Sequence, residues 1–191
     1  MTGQKILVNP VIMSKKILSI RSKNEKRFFI VSRTRSFYNS AMIIRDAKIS
    51  DAKEIYRLIN FYAEHDKMLF RSLANIYENL QTFIVADDDD KILACCALSI
   101  SWSDLAEIKS IAVGEGNWGK GVGKALVEKC VQKARELGVK KLFALTLTPE
   151  FFEKQGFTVI DKDSLPMKVW KDCARCPKQM NCDEIAVVCE L

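Results

Sequence analysis

The stretch GEGNWGKGVGKALVEKC, residues 114–130, concentrates the residues of this chain best suited to hold a charged ligand. Gly114, Gly116, Gly119, Gly121 and Gly123 place five of the eight glycines within ten positions, and a helix-like run follows at once. Bare backbone just ahead of a helix suits a phosphate: the first-turn N–H groups have no intrahelical acceptor, and the helix dipole favours an anion there. A simple tight turn would need one or two glycines. Three in alternation (Gly119, Gly121, Gly123) let the main chain come close to a bulky diphosphate. Lys120 and Lys124 add charge on the rim. The P-loop pattern is absent, since neither Gly-Lys pair is followed by Ser or Thr. A dinucleotide fingerprint would follow the first strand, whereas this loop follows a late one with the spacing GKGVG.

Other reactive side chains are sparser. Glu107 is an acid within the apolar run LAEIKSIAV, and strict two-residue alternation places it on one face with Lys109 and Ile111. Of seven cysteines, Cys95, Cys96 and Cys130 lie in apolar stretches, where thiols behave as small hydrophobes. The tail carries C-x2-C-x5-C (Cys173, Cys176, Cys182), with Cys189 beyond. A C-x2-C pair is half of a common zinc site, but the fourth ligand is missing and His65 is distant, so reduced packing thiols are expected and no metal. The four aspartates at 87–90 read as a solvated turn.

These residues must be carried by alternating strands and helices. MIIR begins a strand at Met42. Ser50 is the expected N-cap of a helix with Ile55, Leu58, Ile59 and Tyr62 on one face. Ser72 opens a second, shorter helix. TFIVADDDDKILACCALSI reads as a hairpin, and residues 105–113 as the strand leading to the glycine loop. The helix after the loop runs to Leu137 and stops at Gly138. A strand (KKLFALTL), a short helix entered at Pro149, the strand GFTVI and a final strand near 184–189 complete a mixed α/β or α+β sheet.

The net charge of +6 is uneven. Residues 1–40 carry nine Lys and Arg against Glu25 alone, or +8, and the remainder carries 21 bases and 23 acids, or −2. The body therefore does not suit duplex nucleic acid. No apolar run approaches the ~18 residues of a membrane span. The cysteine usage fits a reducing, cytoplasmic setting. Residues 1–41, basic and with six serines, read either as an organellar transit peptide or, the reading adopted, as a weakly structured extension ahead of a domain spanning 42–191.

IAVGEGNWGKGVGKALVEKC followed by FFEKQGF resembles the GNAT acetyltransferase superfamily, whose signature is [RQ]-x-x-G-x-[GA] on a strand, loop and helix. The likeness covers about residues 42 to 160. It implies a mixed, mostly antiparallel sheet flanked by helices, and acetyl-CoA as cosubstrate. It also implies that Ile111, Ala112 and Val113 offer the strand edge to the pantetheine arm, and that Trp118, Gly119, Lys120, Gly121, Val122, Gly123 and Lys124 hold the pyrophosphate. Trp118 stands where Arg or Gln is usual, which removes one side-chain donor. The resemblance makes Glu107 the general base; its other reading is a carboxylate paired with Lys109. Phe152 occupies the position of the usual proton-donating Tyr, leaving Thr146, Thr148 or unassisted thiolate departure.

Three further stretches, KMLFRSLANIYENL, FALTLTPEFFEKQGF and the Cys-containing tail, resemble the short stand-alone amino-acid N-acetyltransferases that make N-acetylglutamate in arginine biosynthesis. Met167 departs from that pattern, where His is expected. The likeness implies a small amino-acid acceptor, most simply L-glutamate, and leaves a homodimer open. An acidic acceptor needs a cationic pocket, for which Arg71, Lys109 and the Ser72 hydroxyl are the candidates. The rival readings are an acetyltransferase for a peptide N-terminus or polyamine, and a non-catalytic acyl-CoA-binding module.

Overall fold

The computed structural model describes residues 42–166, 173–176 and 178–191. The expectations for residues 1–41 and Met167 lie outside them. The described strands are β1 (Ile43–Asp46), β2 (Phe83–Asp88), β3 (Lys91–Ile100), β4 (Leu105–Val113), β5 (Lys141–Thr146), β6 (Thr158–Ile160) and β7 (Ile185–Glu190). They form one sheet in the order β1-β2-β3-β4-β5-β7-β6, in which only the β4–β5 pair is parallel. The helices are α1 (Ala52–Glu64), α2 (Leu73–Glu78), α3 (Val122–Glu136) and α4 (Pro149–Glu153).

Two-residue alternation divides the sheet into two buried faces. One carries Ile84, Ala94, Cys96, Leu98, Ala106, Ile108, Leu142 and Val187 against α3 residues Leu126, Val127 and Cys130 and α4 residue Phe152. The other carries Phe83, Val85, Cys95, Ala97 and Ala112 against α1 residues Ile55, Leu58 and Ile59, with Ile76 of α2. Leu105, Phe143 and Ala186 extend this second face past the helices. The aspartate run turns β2 into β3 through Asp89 and Asp90, both in the left-handed region (φ 50 and 64). That is the conformation a tight two-residue hairpin requires, and aspartate tolerates it.

The start of α1 departs from the sequence expectation. Ser50 does not cap it. A single 3-10 turn (Ile49–Asp51) precedes the helix, and Asp51 reaches back to the Lys48 N–H at 2.7 Å. Asp51 wins because Arg45 on β1 fixes its carboxylate: Nη1 donates to Oδ2 at 2.6 Å and Nη2 to Oδ1 at 3.2 Å. The same guanidinium bonds Asp87 on β2, Nε to Oδ2 at 2.8 Å. Burial pushes the Asp51 carboxyl up, but the bonds from Arg45 and the Lys48 N–H outweigh it and leave its pKa below the ordinary carboxylate value.

Arg45→Ala would strand two buried carboxylates, Asp51 being 6% exposed. We expect urea unfolding to register a loss of about 3 kcal/mol. Because the native Asp51 value is depressed, its contribution is complete above the unfolded value near ~3.9 and disappears as pH falls through the native one. Stability of Arg45→Ala should no longer fall across that acid range. A variant as stable as the parent at neutral pH would refute the role.

Candidate active site

β4 and β5 pair over only three positions, Leu105↔Lys141, Ala106↔Leu142 and Glu107↔Phe143. Beyond Glu107 they part, while β5 continues its ladder with β7, on its other edge, as far as Thr146↔Ile185. A β-bulge accompanies the parting: Ser110 adopts φ 55, and the β3–β4 register slips between Cys95 and Ala97. The bulge corrects one sequence expectation. Glu107 and Lys109 share a face, but Ile111 is turned to the α3 side with Val113, and Ala112 is buried against α1. The opening is a cleft of ≈ 690 Å³ running from the α3 face to the α1–α2 face.

On the α3 side the cleft meets the glycine loop. Gly119 and Gly121 have φ 73 and 81, values an L side chain rarely adopts. Gly121 is the N-cap residue, and the first α-helical bond runs from the Ala125 N–H to its carbonyl at 3.0 Å. The N–H groups of Val122, Gly123 and Lys124 therefore lie ahead of the helical ladder, beside the cleft. A Cβ on Gly123 would stand 3.3 Å from the Phe151 ring, so glycine keeps the helix flush with α4. Trp118, Gly119, Gly121, Val122, Gly123 and Lys124 line the cleft; Lys120 is exposed outside its wall. Lys124 makes a long, solvent-exposed 3.7 Å pair with Glu128.

At the end of β4, the Leu93–Gly114 contact places Val113 at a non-hydrogen-bonded pair with Ala94, so its backbone groups point away from β3. Its carbonyl accepts from the Tyr62 hydroxyl at 2.5 Å and the Trp118 indole N–H at 2.8 Å. On the opposite face Arg71 is held from four directions. The Asn60 side chain bonds both its N–H and its C=O, at 3.1 and 3.0 Å. Nε donates to Ser110 Oγ at 2.9 Å, and Nη1 to Asn75 Oδ1 at 3.0 Å. Those bonds use two of the five guanidinium N–H groups. Lys109 Nζ lies 3.3 Å from Glu107 Oε2, so the pairing foreseen for Glu107 exists within the cleft wall.

The acetyltransferase (GNAT) family model matches residues 49–157. The chain belongs to that family. It is an acetyl-CoA-dependent acetyltransferase, and the cleft, the exposed main-chain donors and the parted strands suit a long thioester carrying a diphosphate. Over 145 residues the chain is 44% identical to an uncharacterized N-acetyltransferase of Chlorobaculum tepidum, a match covering 76% of this chain and 94% of that one. Over 136 residues it is 37% identical to the amino-acid acetyltransferase of Mycobacterium tuberculosis, covering 70% of this chain and 78% of that protein. N-acetylglutamate synthase of Neisseria gonorrhoeae, solved with coenzyme A and N-acetyl-glutamate, superimposes with a TM-score of 0.72 at 29% identity. The match covers 81% of this chain but 36% of the synthase.

Within this GNAT domain the remaining candidates fall as follows. Ser72 lines only a neighbouring cavity, and its Oγ is occupied in capping α2 through the Asn75 N–H at 3.1 Å. Thr146, Thr148 and Phe152 line the cleft, and Thr146 Oγ1 accepts from the Thr148 N–H at 3.0 Å. Cys95 and Cys96 are fully buried away from the cleft. Burial pushes the Cys95 thiol up to about 12, and the contact with Cys130 at 3.4 Å, with burial, raises Cys96 too. Neutral thiols in these positions do not act as nucleophiles. Among the described residues no three His, Cys, Asp or Glu side chains converge as a metal site, and no helix is long and apolar enough to cross a membrane.

Sequence reasoning missed Tyr62, Lys67, Asn60, Ser110 and Glu184. Tyr62 reads as one more apolar member of the α1 stripe, and only the fold shows that its hydroxyl reaches β4. Ser110 is disguised by the alternation that its own bulge breaks.

Proposed function

We propose that this enzyme transfers the acetyl group of acetyl-CoA to the α-amine of an amino acid, with L-glutamate as acceptor, by direct attack within a ternary complex. Arg71 carries the reading. Ser110 and Asn75 fix its guanidinium in the cleft wall and Asn60 fixes its main chain, while among the described residues three guanidinium N–H groups remain for a ligand, the arrangement a carboxylate fork needs. Lys67 and Lys109 line the same cleft and add positive charge. A polyamine acceptor would meet these cations unfavourably.

In this reading the glycine-loop N–H groups and Lys124 hold the diphosphate, and the edge of β4 at Ile111 and Val113 guides the pantetheine arm. Glu107, directly or through water, removes the amine's proton. The thiolate leaves unassisted, since a thiol pKa of ~8.5 permits departure near neutrality. In this reading the product, N-acetylglutamate, serves arginine biosynthesis in the cytoplasm.

The test is a thiol-release screen of the full chain against the common amino acids and polyamines. Turnover should favour glutamate, and Arg71→Ala should raise its KM by at least about 30-fold, the lower end for losing one partner of a desolvated charge pair. The KM for acetyl-CoA should not move. Turnover confined to polyamines or peptides would overturn the reading.

A further inference from the structure

A second cavity of ≈ 550 Å³ adjoins the cleft, walled by the segment before α2 and by Cys176, Lys178, Cys182 and Asp183 of the C-terminal tail. Among the described residues, three charged side chains line both spaces: Lys67, Arg71 and Glu184. The junction thus presents two cations and one anion. A dicarboxylic α-amino acid carries the inverse set, two carboxylates and one ammonium.

Glu184 precedes β7, one residue beyond the Thr146↔Ile185 pair that ends the β5–β7 ladder. Two-residue alternation puts it on the face of Ala186, which packs with Leu105 and Phe143. Glu107 follows Leu105 by two residues on β4, so the two acids stand on the same face of the sheet, on opposite sides of the parted strands. Cys173, in the cleft wall, senses both: burial first, then Glu184, Cys182 and Glu107, push its thiol up to about 11.

The two acids differ in what they already hold. Glu107 is engaged by Lys109 at 3.3 Å. Glu184 is half-buried and has no hydrogen bond or ion pair among the described residues. Burial and the neighbouring Asp183 raise its pKa, with Lys162 and Lys178 partly offsetting them. A half-buried carboxylate in that condition gains from a cationic ligand.

We infer that Glu184 receives the acceptor's α-ammonium at the junction of the two cavities, orienting the nitrogen that Glu107 then deprotonates. The inference rests on the amino-acid acceptor proposed above and assigns the tail a place in substrate recognition.

The test compares L-glutamate with glutarate, which keeps both carboxylates and lacks the amine. In the full chain, Glu184→Gln should raise the KM for glutamate about 10- to 100-fold, the worth of a bond between charged groups. The inhibition constant of glutarate should stay within about twofold, because glutarate never touches Glu184. Glu184→Asp should keep glutarate inhibition and recover most of the glutamate KM, and Glu184→Ala, which also removes the charge, carries the test if the Gln variant does not fold. An unchanged glutamate KM, or a parallel weakening of both ligands, would overturn the assignment while leaving the acceptor reading intact. A parent enzyme that turns over no amino acid would overturn both.

Discussion

Glu107→Gln should lower kcat/KM for the acceptor by about 10²- to 10³-fold near neutral pH, within the range a positioned general base contributes. The side chain lies where the strands begin to part and lines the cleft. Glutamine preserves its size and its capacity to accept a bond from Lys109, so packing is retained and basicity is lost. The sign with pH is definite. An amine arrives mostly protonated at neutral pH and needs the base; once pH exceeds the amine's own pKa, free amine is supplied by solvent. The deficit should therefore be largest at low pH and narrow as pH rises, with coenzyme A affinity by calorimetry unchanged. Equal rates for variant and parent across the whole profile would remove Glu107 from the chemistry and leave it as the ion-pair partner of Lys109.

Gly121→Val should weaken coenzyme A binding by about 10²- to 10⁴-fold, the loss of two charge-assisted main-chain bonds worth about 1.5–3 kcal/mol each. Steric collision is not the cause, since a Cβ at this position meets no atom within 4 Å. The cause is φ 81, which a β-branched residue avoids, so the peptide rotates and carries the neighbouring N–H groups away from the diphosphate. Gly121→Asn is the matched control. Asparagine tolerates the left-handed region and should retain most of the affinity in the same calorimetric titration. Tight binding by the Val variant, or equal damage from both substitutions, would show that these amides do not hold the ligand.

How much of this was legible beforehand depended on whether the information was local. The glycine loop was readable because phosphate binding at a helix N-terminus is built from consecutive residues, and Gly119, Gly121 and Gly123 announce it themselves. The hairpin turn at Asp89–Asp90, the Ser72 cap and the stop at Gly138 were readable for the same reason. Arg71 was readable as a cation but not as an anchored one. Its rigidity comes from Ser110, 39 residues later, and from Asn60, 11 residues earlier.

The alternation rule failed at β4 for a physical reason. A single left-handed residue, Ser110, inserts an extra position and reverses the direction of every side chain after it, so Ile111 leaves the face of Glu107. Ser50 lost the α1 cap because Arg45, from a strand, already holds the Asp51 carboxylate. Glu184 was invisible because a tail acid has no periodic signature, and its meaning lies in which walls it shares.

The sequence by itself determined the chemistry on offer: a loop for a diphosphate, an acid in the strand that leads to it, and a cation ahead of the second helix. The tertiary structure alone decided which groups act together. β4 and β5 pair over only three positions before they part, and the gap between them brings Glu107, Arg71 and Glu184 to one cleft from positions up to 113 residues apart. Which strands pair, and where a pairing ends, is settled between segments distant in sequence, and no window of neighbouring residues contains it.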